Sequence, residues 1–544
     1  MVNNSKERVW LPHLSNSIPK DIYGYSISMY SLALEGWRRG LTLRFENINR
    51  SKAQTIFYLA DGEKEHRFAV SRGDKVPQTA IKTCINKNLT KEHLIKADVP
   101  TPLGRVFEDS NGEKSQIIDY ANKIGYPVVI KPVDGTGGKG VIANIADRNE
   151  LKNAYDYVTK DLKFKNIIIE KHFEGIDCRV YVIEDKVVAA TKRIPANVIG
   201  DGTSSISKLI KLKEIQRDKN PALYGQKFKI DKESKEMLSQ QGYNMESIPQ
   251  SGERVFLKSK NNVSAGGDSV DVTDELSSEI KKIATDAAKS IPGLVQAGVD
   301  LMVNLNNNSA EVIEINSRPH IRAQLFPEEG SGRDIPKAII DYYFPDTKAN
   351  HKEPLYYFDF QYIWEGFQSG TYKSISLPNV PRGNLKSEQI ILTGNLRNIN
   401  VGRSIKKIAL SLELDGNVEH LENGELSIVI SGNYNCIEKF KTNLINILGN
   451  NIQISRISKY RYPIKIGFEI INKHLDVKLK QGYNPITLKG IRNDLIKPNR
   501  KSKRSTKLSK DKTLDFKRKY NRIINSKSWK LTRPLRKIRA FLKK

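Results

Sequence analysis

At 544 residues, 38% of them hydrophobic and 28% charged, the chain has enough apolar material for several packed domains and does not have the composition of a disordered protein. No stretch approaches the roughly 18 consecutive apolar residues of a membrane-spanning helix, and the first residues, MVNNSKERVWLPHL, carry no secretory core. Three widely spaced cysteines (Cys84, Cys178 and Cys436) imply neither a disulfide framework nor a metal cluster and suit a reducing cytoplasm, while the net charge of +29 is unevenly placed.

In chain order, residues 1–76 read as an α/β segment. Residues 85–102, INKNLTKEHLIKADVPTP, set Lys87 ahead of a helix and a VPTP turn. Residues 127–145, PVVIKPVDGTGGKGVIANI, read as two β-branched strands around a glycine-rich loop. Gly135, Gly137, Gly138 and Gly140 leave backbone N–H groups open to phosphate oxygens, and Lys131 and Lys139 add point charges. A dinucleotide fold needs a helix directly after such glycines, and a P-loop lysine is followed by Ser or Thr, where this chain has Gly140. A β-loop-β flap over a nucleotide and an ordinary glycine-rich hairpin both fit.

Residues 167–206 follow, with Glu170 in IIIEKHF and Asp177 seven positions on. Residues 201–259 form a polar insert with helical stretches over 206–216 and 232–240. Residues 297–320, AGVDLMVNLNNNSAEVIEINSRPH, read as a hairpin: strand 298–303 turns through Asn306, Asn307 and Asn308 into strand 311–316. Alternation puts Glu314 and Asn316 on one face, beside Asp300 of the partner strand, and sends Glu311, Ile313 and Ile315 to the other face, toward a core. Three hard oxygen donors suit magnesium, although a solvent-facing strand edge gives the same pattern.

In their order and spacing these four segments resemble the ATP-grasp superfamily, over residues 78–345. The wording GDG, RIPA and NNVSAGGDSVDVTDE is similar to the cyanophycin synthetase branch; FPEEGSGR is similar to the ligase half of bifunctional glutathione synthetases. The resemblance implies an ATP-grasp domain over 77–345 behind a preface domain. It implies ATP held by Lys87, Lys131 and the flap residues Gly135, Gly137, Gly138 and Lys139. Glu170 and the backbone of Lys171, His172 and Phe173 would meet the adenine edge, and Asp177 the ribose hydroxyls. Asp300, Glu314 and Asn316 are the implied ligands of Mg2+, or of Mn2+ in its place.

The implied reaction passes the γ-phosphoryl group of ATP to a carboxylate, and an amine then displaces phosphate from the acyl phosphate. Lys258 would neutralise developing charge; Arg193 and Arg318, with Arg179 and Arg322, are candidate anchors for substrate carboxylates. Arg318 departs from the small residue more usual in relatives, which leaves the substrates undefined: a small-molecule, peptide or glycan carboxylate, and an amine such as an amino acid. A nucleotide-binding scaffold without activity and a phosphoryl transferase that joins no amine are the alternatives. Oligomerisation stays open.

Residues 346–392 read as a linker. Residues 393–471, with ALSLELDGNVEHLENGELSIVISG at 409–432 and a hairpin signal at Asn423-Gly424, resemble the acylphosphatase fold, a small βαββαβ sandwich. Arg403 stands near that family's phosphate-binding arginine, but the loop before it lacks the usual glycines, and His420 occupies the position of the water-orienting asparagine. An active acylphosphatase would also destroy the ligase's own intermediate, so a degenerate docking or binding module is expected. The expected fold class is therefore α/β and α+β multidomain: ATP-grasp, the small sandwich and a basic tail.

That tail, 472–544, holds much of the charge. Over 497–544 it has 20 Lys and Arg against Asp511 and Asp515, a net +18. KPNRKSKRSTKLSKDK is too polar to order alone. In SWKLTRPLRKIRAFLKK, Leu531, Leu535, Ile538 and Leu542 recur on one helical stripe among Arg533, Arg536, Lys537, Arg539 and Lys543. A basic amphipathic helix fits an anionic membrane surface; docking on the protein's own body is the alternative, and specific nucleic-acid binding is not expected. SWKLTRPLRKIR also resembles a short tail of bacterial cell-surface polysaccharide glycosyltransferases. The expected location is the cytoplasm, peripheral to the inner membrane face.

Overall fold

The computed structural model describes residues 7–471 apart from 50–53, 109–113, 134, 136–139, 260, 262, 350, 352, 395, 397–399 and 449–451. Gly137, Gly138 and Lys139 of the expected flap, and the whole basic tail, lie outside the described residues.

The N-terminal part is built on α1 (Ile27–Arg38), a helix buried on every face. It packs on an antiparallel sheet of β1 (Thr42–Asn49), β2 (Gln54–Ala60), β3 (Glu65–Ala69) and β4 (Arg72–Gly73). Gly36 permits the close approach, since a Cβ there would stand 2.4 Å from Leu59. The sheet's outer edge is completed from far down the chain by Ser374–Ser376, paired with β1.

Two further layers form the body. α2 (Lys87–Lys96) starts where the Asn86 side chain accepts the N–H groups of Asn88 and Leu89. A four-stranded sheet follows, in the order β5 (Gly104–Phe107), β8 (Ile167–Lys171), β6 (Val128–Pro132), β7 (Ile142–Ile145). Val128, Ile130, Ile167 and Ile169 point into a core with α3 (Lys114–Ile124) and α4 (Arg148–Asp156). Alternation turns Lys131, Ile168 and Glu170 to the opposite face.

The second sheet runs β11 (Asp268–Asp271), β10 (Lys186–Ile194), β9 (Ile176–Ile183), β12 (Gln296–Asn304), β13 (Ser309–Asn316), antiparallel throughout. Its apolar pleat (Cys178, Val180, Val299, Leu301, Val312, Ile315) packs with α7 (Ser278–Lys289), leaving Asp177, Arg179, Asp300 and Glu314 on the other face. Between β10 and β11 the polar insert carries α5 (Ile206–Arg217) and α6 (Lys232–Gln240) around a small core of its own.

The sequence alternation fails at one place in β13. Ala310 and Val312 face the core, and so does Ile315, because the register shifts opposite Asp300/Leu301. The extra residue is Ile313. The expected core face of Glu311, Ile313 and Ile315 is therefore corrected: a bulge resets the two-residue period, and only Ile315 of the three is buried.

Residues 346–392 include a helix, Phe360–Gln368, and Tyr356–Tyr357, which pairs in parallel with Ile464–Lys465. The last described part is a sheet ordered β17 (Ile452–Lys459), β14 (Leu385–Gly394), β16 (Leu426–Asn433), β15 (Asp415–His420), β18 (Phe468–Ile471). Helices Asn400–Ser411 and Tyr434–Leu448 complete a βαββαβ order to β17, to which β18 adds a parallel edge strand.

Candidate active site

A cleft of about 570 Å3 opens between α2, the polar face of the four-stranded sheet and the end of β13. Lys87, Lys131, Glu170 and Glu314, distant in sequence, all line it. Lys87 Nζ donates to the Gly135 carbonyl at 3.2 Å, tying the first turn of α2 to the glycine loop. The bulge turns Ile313 out of the core, 37% exposed, so that it and Ile168 give the cleft an apolar lining.

Glu170, 5% exposed, is the ionic centre of the cleft. Its two oxygens take Lys131 Nζ at 2.5 Å and Lys91 Nζ at 2.9 Å. Burial pushes the carboxyl up, but the two ammonium groups outweigh it and hold Glu170 below the usual carboxylate range. The expected adenine edge is altered in one respect. The Lys171 N–H donates to the Leu103 carbonyl (2.8 Å) and the His172 N–H to the Pro127 carbonyl (3.0 Å), so neither donor is open to a purine. Phe173, half-buried beyond the strand end, is the remaining hinge residue.

On the second sheet Asp300 stands opposite Glu314, and Gly298 opposite Asn316, so the three expected metal ligands share one pleat. Asp300, 7% exposed, accepts Arg179 Nε and Nη2 at 2.7 Å each, and Arg193 Nη2 lies 3.3 Å away. Burial would raise the Asp300 carboxyl, yet the two guanidiniums keep it low. Arg193 also takes Asp177 Oδ1 (2.7 Å from Nε). Burial, with repulsion from Asp300, leaves Asp177 raised despite that pair. Among the described residues no hydrogen bond or ion pair engages the Glu314 side chain, and Asn316 Nδ2 is buried without a partner. Two carboxylates and one uncommitted amide on a single pleat form an all-oxygen set that fits Mg2+.

The remaining expected residues are more scattered. Lys258 is taken by Asp231 and by Glu233 (3.2 Å), both at the start of α6, so its charge is spent within the insert. Arg318 is exposed in the loop after β13. Arg322 is buried, with Nη2 2.9 Å from Ser264 Oγ and Nη1 on the Ala222 carbonyl. Lys91 was not among the sequence expectations. Its signal was available: it lies four residues after Lys87, hence on the same face of a helix.

Two domains of the chain have counterparts among known proteins. Residues 84–321 match the family model of the ATP-grasp domain, and residues 388–470 that of acylphosphatase. The chain thus carries an ATP-grasp domain followed by an acylphosphatase domain. Cyanophycin synthetase of Geminocystis herdmanii is 32% identical over 302 residues, covering 54% of this chain and 34% of that one. The glutathione biosynthesis bifunctional protein of Clostridium perfringens is 30% identical over 359 residues, covering 63% of this chain and 44% of its own length. A solved bifunctional glutathione synthetase from Pasteurella multocida aligns at 26% identity over 56% of this chain and 41% of that chain, with a TM-score of 0.43. The chain therefore spans between about a third and under half of the length of these relatives.

Proposed function

We propose that the protein is an ATP- and Mg2+-dependent ligase that joins a carboxylate to an amine. The γ-phosphoryl group passes to the carboxylate oxygen with release of ADP; the amine nitrogen then attacks the acyl carbon, forming the amide, and phosphate leaves. The observation that carries this reading is a cleft in which two lysines, Lys87 and Lys131, meet the Glu314 end of an all-oxygen donor set. Mg2+ held by Asp300, Glu314 and Asn316 would supply charge neutralisation to the phosphates, with Mn2+ able to take its place. Lys131, paired with Glu170, and Lys87 orient the phosphates, while Ile168 and Ile313 exclude water from the base. Phe173 serves as the hinge. Arg193 orients Asp300 and Asp177, a positioning task more than a substrate contact.

The acylphosphatase domain serves as a docking module in this reading: Arg403 and His420 are both exposed, and neither the loop nor the strand end carries the usual family residues. We place the enzyme in the cytoplasm, with the +18 segment holding it at an anionic inner membrane face, where cell-envelope polymers would supply the carboxylate. No helix of the described residues is long and apolar enough to cross a membrane. Phosphate release, measured with Mg2+, ATP, candidate carboxylates and amino acids, tests the reaction. ADP and phosphate should accumulate rather than AMP and pyrophosphate, and Glu314→Gln should lose about 100-fold or more in turnover. Full turnover in that variant would refute the metal assignment.

A further inference from the structure

Away from the cleft, three segments far apart in the chain meet around a pair of imidazoles. His13 comes from the short helical turn Pro12–Ser15, Glu35 from the last turn of α1, and His351 from the segment that follows helix Ile335–Tyr343. The two rings stack, with centroids 3.7 Å apart and planes 9° from parallel. His351 Nε2 lies 3.0 Å from Glu35 Oε2, and Arg39 Nε donates to Glu35 Oε1 at 2.7 Å, which leaves the first oxygen facing the ring. Asp334 Oδ1 caps its helix by accepting the Lys337 N–H at 3.0 Å, and Oδ2 stands 3.2 Å from His13 Nε2. The directions are wrong for a bond, however: His13 is 8% exposed, and among the described residues its Nε2 has no hydrogen-bond partner.

A ring nitrogen buried beside a carboxylate but not aligned with it has lost its water without compensation. The neighbouring cations do not engage it. Arg38 donates to the His13 carbonyl and to Ser17 Oγ, each at 2.7 Å, and so fixes the turn rather than the ring; Arg39 is shared between Glu35 and Asp341. Two imidazoles with carboxylates are the donor types of four-coordinate zinc, whereas Mg2+ prefers oxygen alone. One donor atom each from His13, Glu35 and His351 already lies within 4.8 Å of the other two. Zinc bonded at about 2.0–2.1 Å sets its donors about 3.3 Å apart, so the trio closes by up to about 1.5 Å on binding. A metal ion also lies in the plane of each imidazole that binds it, so one ring has to turn out of the stack. His351, whose side chain is 26% exposed, is the ring with room to turn.

We propose that His13, Glu35 and His351, with Asp334 as fourth donor, bind one divalent ion of the zinc class. The site is structural and separate from Asp300, Glu314 and Asn316, and it does not depend on the ligase reading. Its donors on α1 and on the later segment are 316 positions apart. Shortly after His351 the chain reaches Tyr356–Tyr357, which pairs with Ile464–Lys465. The ion therefore pins to the first domain the segment that leads into the acylphosphatase domain, and its binding energy adds to folding.

Calorimetric titration of the chelator-treated full chain with ZnCl2, in excess Mg2+, tests this. One Zn2+ per chain should bind with a dissociation constant of about 1 μM or tighter. His351→Ala and His13→Gln should each weaken it at least about tenfold. Co2+ in place of Zn2+ should show the visible absorption bands of a four-coordinate ion and lose them in His351→Ala. Zn2+ should also slow tryptic cleavage after the exposed Lys348 in the wild type and not in His351→Ala. His351 is only half-buried, so its variant folds even if His13→Gln does not. No Zn2+ uptake by the wild type, or uptake and tryptic protection that persist unchanged in His351→Ala, overturns the proposal.

Discussion

Glu170 shows what a single residue reveals before and after folding. The ATP-grasp resemblance sets this acid at an expected nucleotide hinge; in the structure it is the partner of Lys131 and Lys91, one of which reaches it from α2, 79 positions earlier. Spacing along one strand cannot encode that meeting, because the two lysines come from different elements. Glu328 makes the same point, with a testable consequence. It is buried beside Asp268 and lies 3.2 Å from Arg217, and burial followed by Asp268 raises its carboxyl well above the ordinary carboxylate range. A raised folded-state value means that the folded protein keeps a proton the unfolded chain releases. Its stabilising contribution is full below the unfolded value of about 4.3 and is lost as pH rises toward the raised one. Glu328→Gln keeps the shape and removes the titration. Relative to the wild type, this variant should gain ~2 °C in Tm at about pH 8 over the difference seen at about pH 5, as measured by scanning calorimetry. A pH-independent difference would show that Glu328 is ionised in the fold.

Among elements, the β12–β13 hairpin was the most legible and also the least. Its strands, its asparagine turn and the shared face of Asp300, Glu314 and Asn316 follow from period-two alternation and turn chemistry. The bulge at Ile313 does not, since β-branched residues suit a regular strand equally well, and the insertion is set by the facing strand. Gly298 is a second feature that only the packing explains. It faces Asn316 across the ladder, and Pro319 of the loop after β13 lies over it, such that a Cβ would stand 2.7 Å from Pro319 Cβ. The glycine is therefore the floor on which the loop rests. Gly298→Val should cost about 1–3 kcal/mol in urea unfolding through overpacking, and it should leave Mg·ADP affinity as in the wild type, because Lys87 and Lys131 keep their positions. A loss of that affinity would mean that the strain spreads through the sheet to the cleft.

For the whole molecule, the order of parts is readable from motifs, but their joints are not. Ser374–Ser376 closes the first domain's sheet from across the ATP-grasp domain, and Tyr356–Tyr357 pairs with Ile464–Lys465, so segments separated by more than a hundred residues complete one another's edges. Short strands of this kind have no local signature; they form where a neighbouring edge accepts them. The basic tail is the reverse case, plain in composition and outside the described residues. Its +18 over 497–544 includes a stripe of Leu531, Leu535, Ile538 and Leu542 among cations. Each Lys or Arg near an anionic surface contributes about 1 kcal/mol, so a few engaged residues are enough to tether the enzyme. Salt should release it, because exposed charges are screened beyond about 8 Å at physiological ionic strength. Truncation after Lys497 should abolish co-sedimentation with phosphatidylserine vesicles and leave phosphate release on a soluble substrate unchanged. If the truncated protein still sediments, or the full chain ignores the vesicles at low salt, the tether is elsewhere or absent. Equal binding to RNA would reduce the tail to a nonspecific polycation.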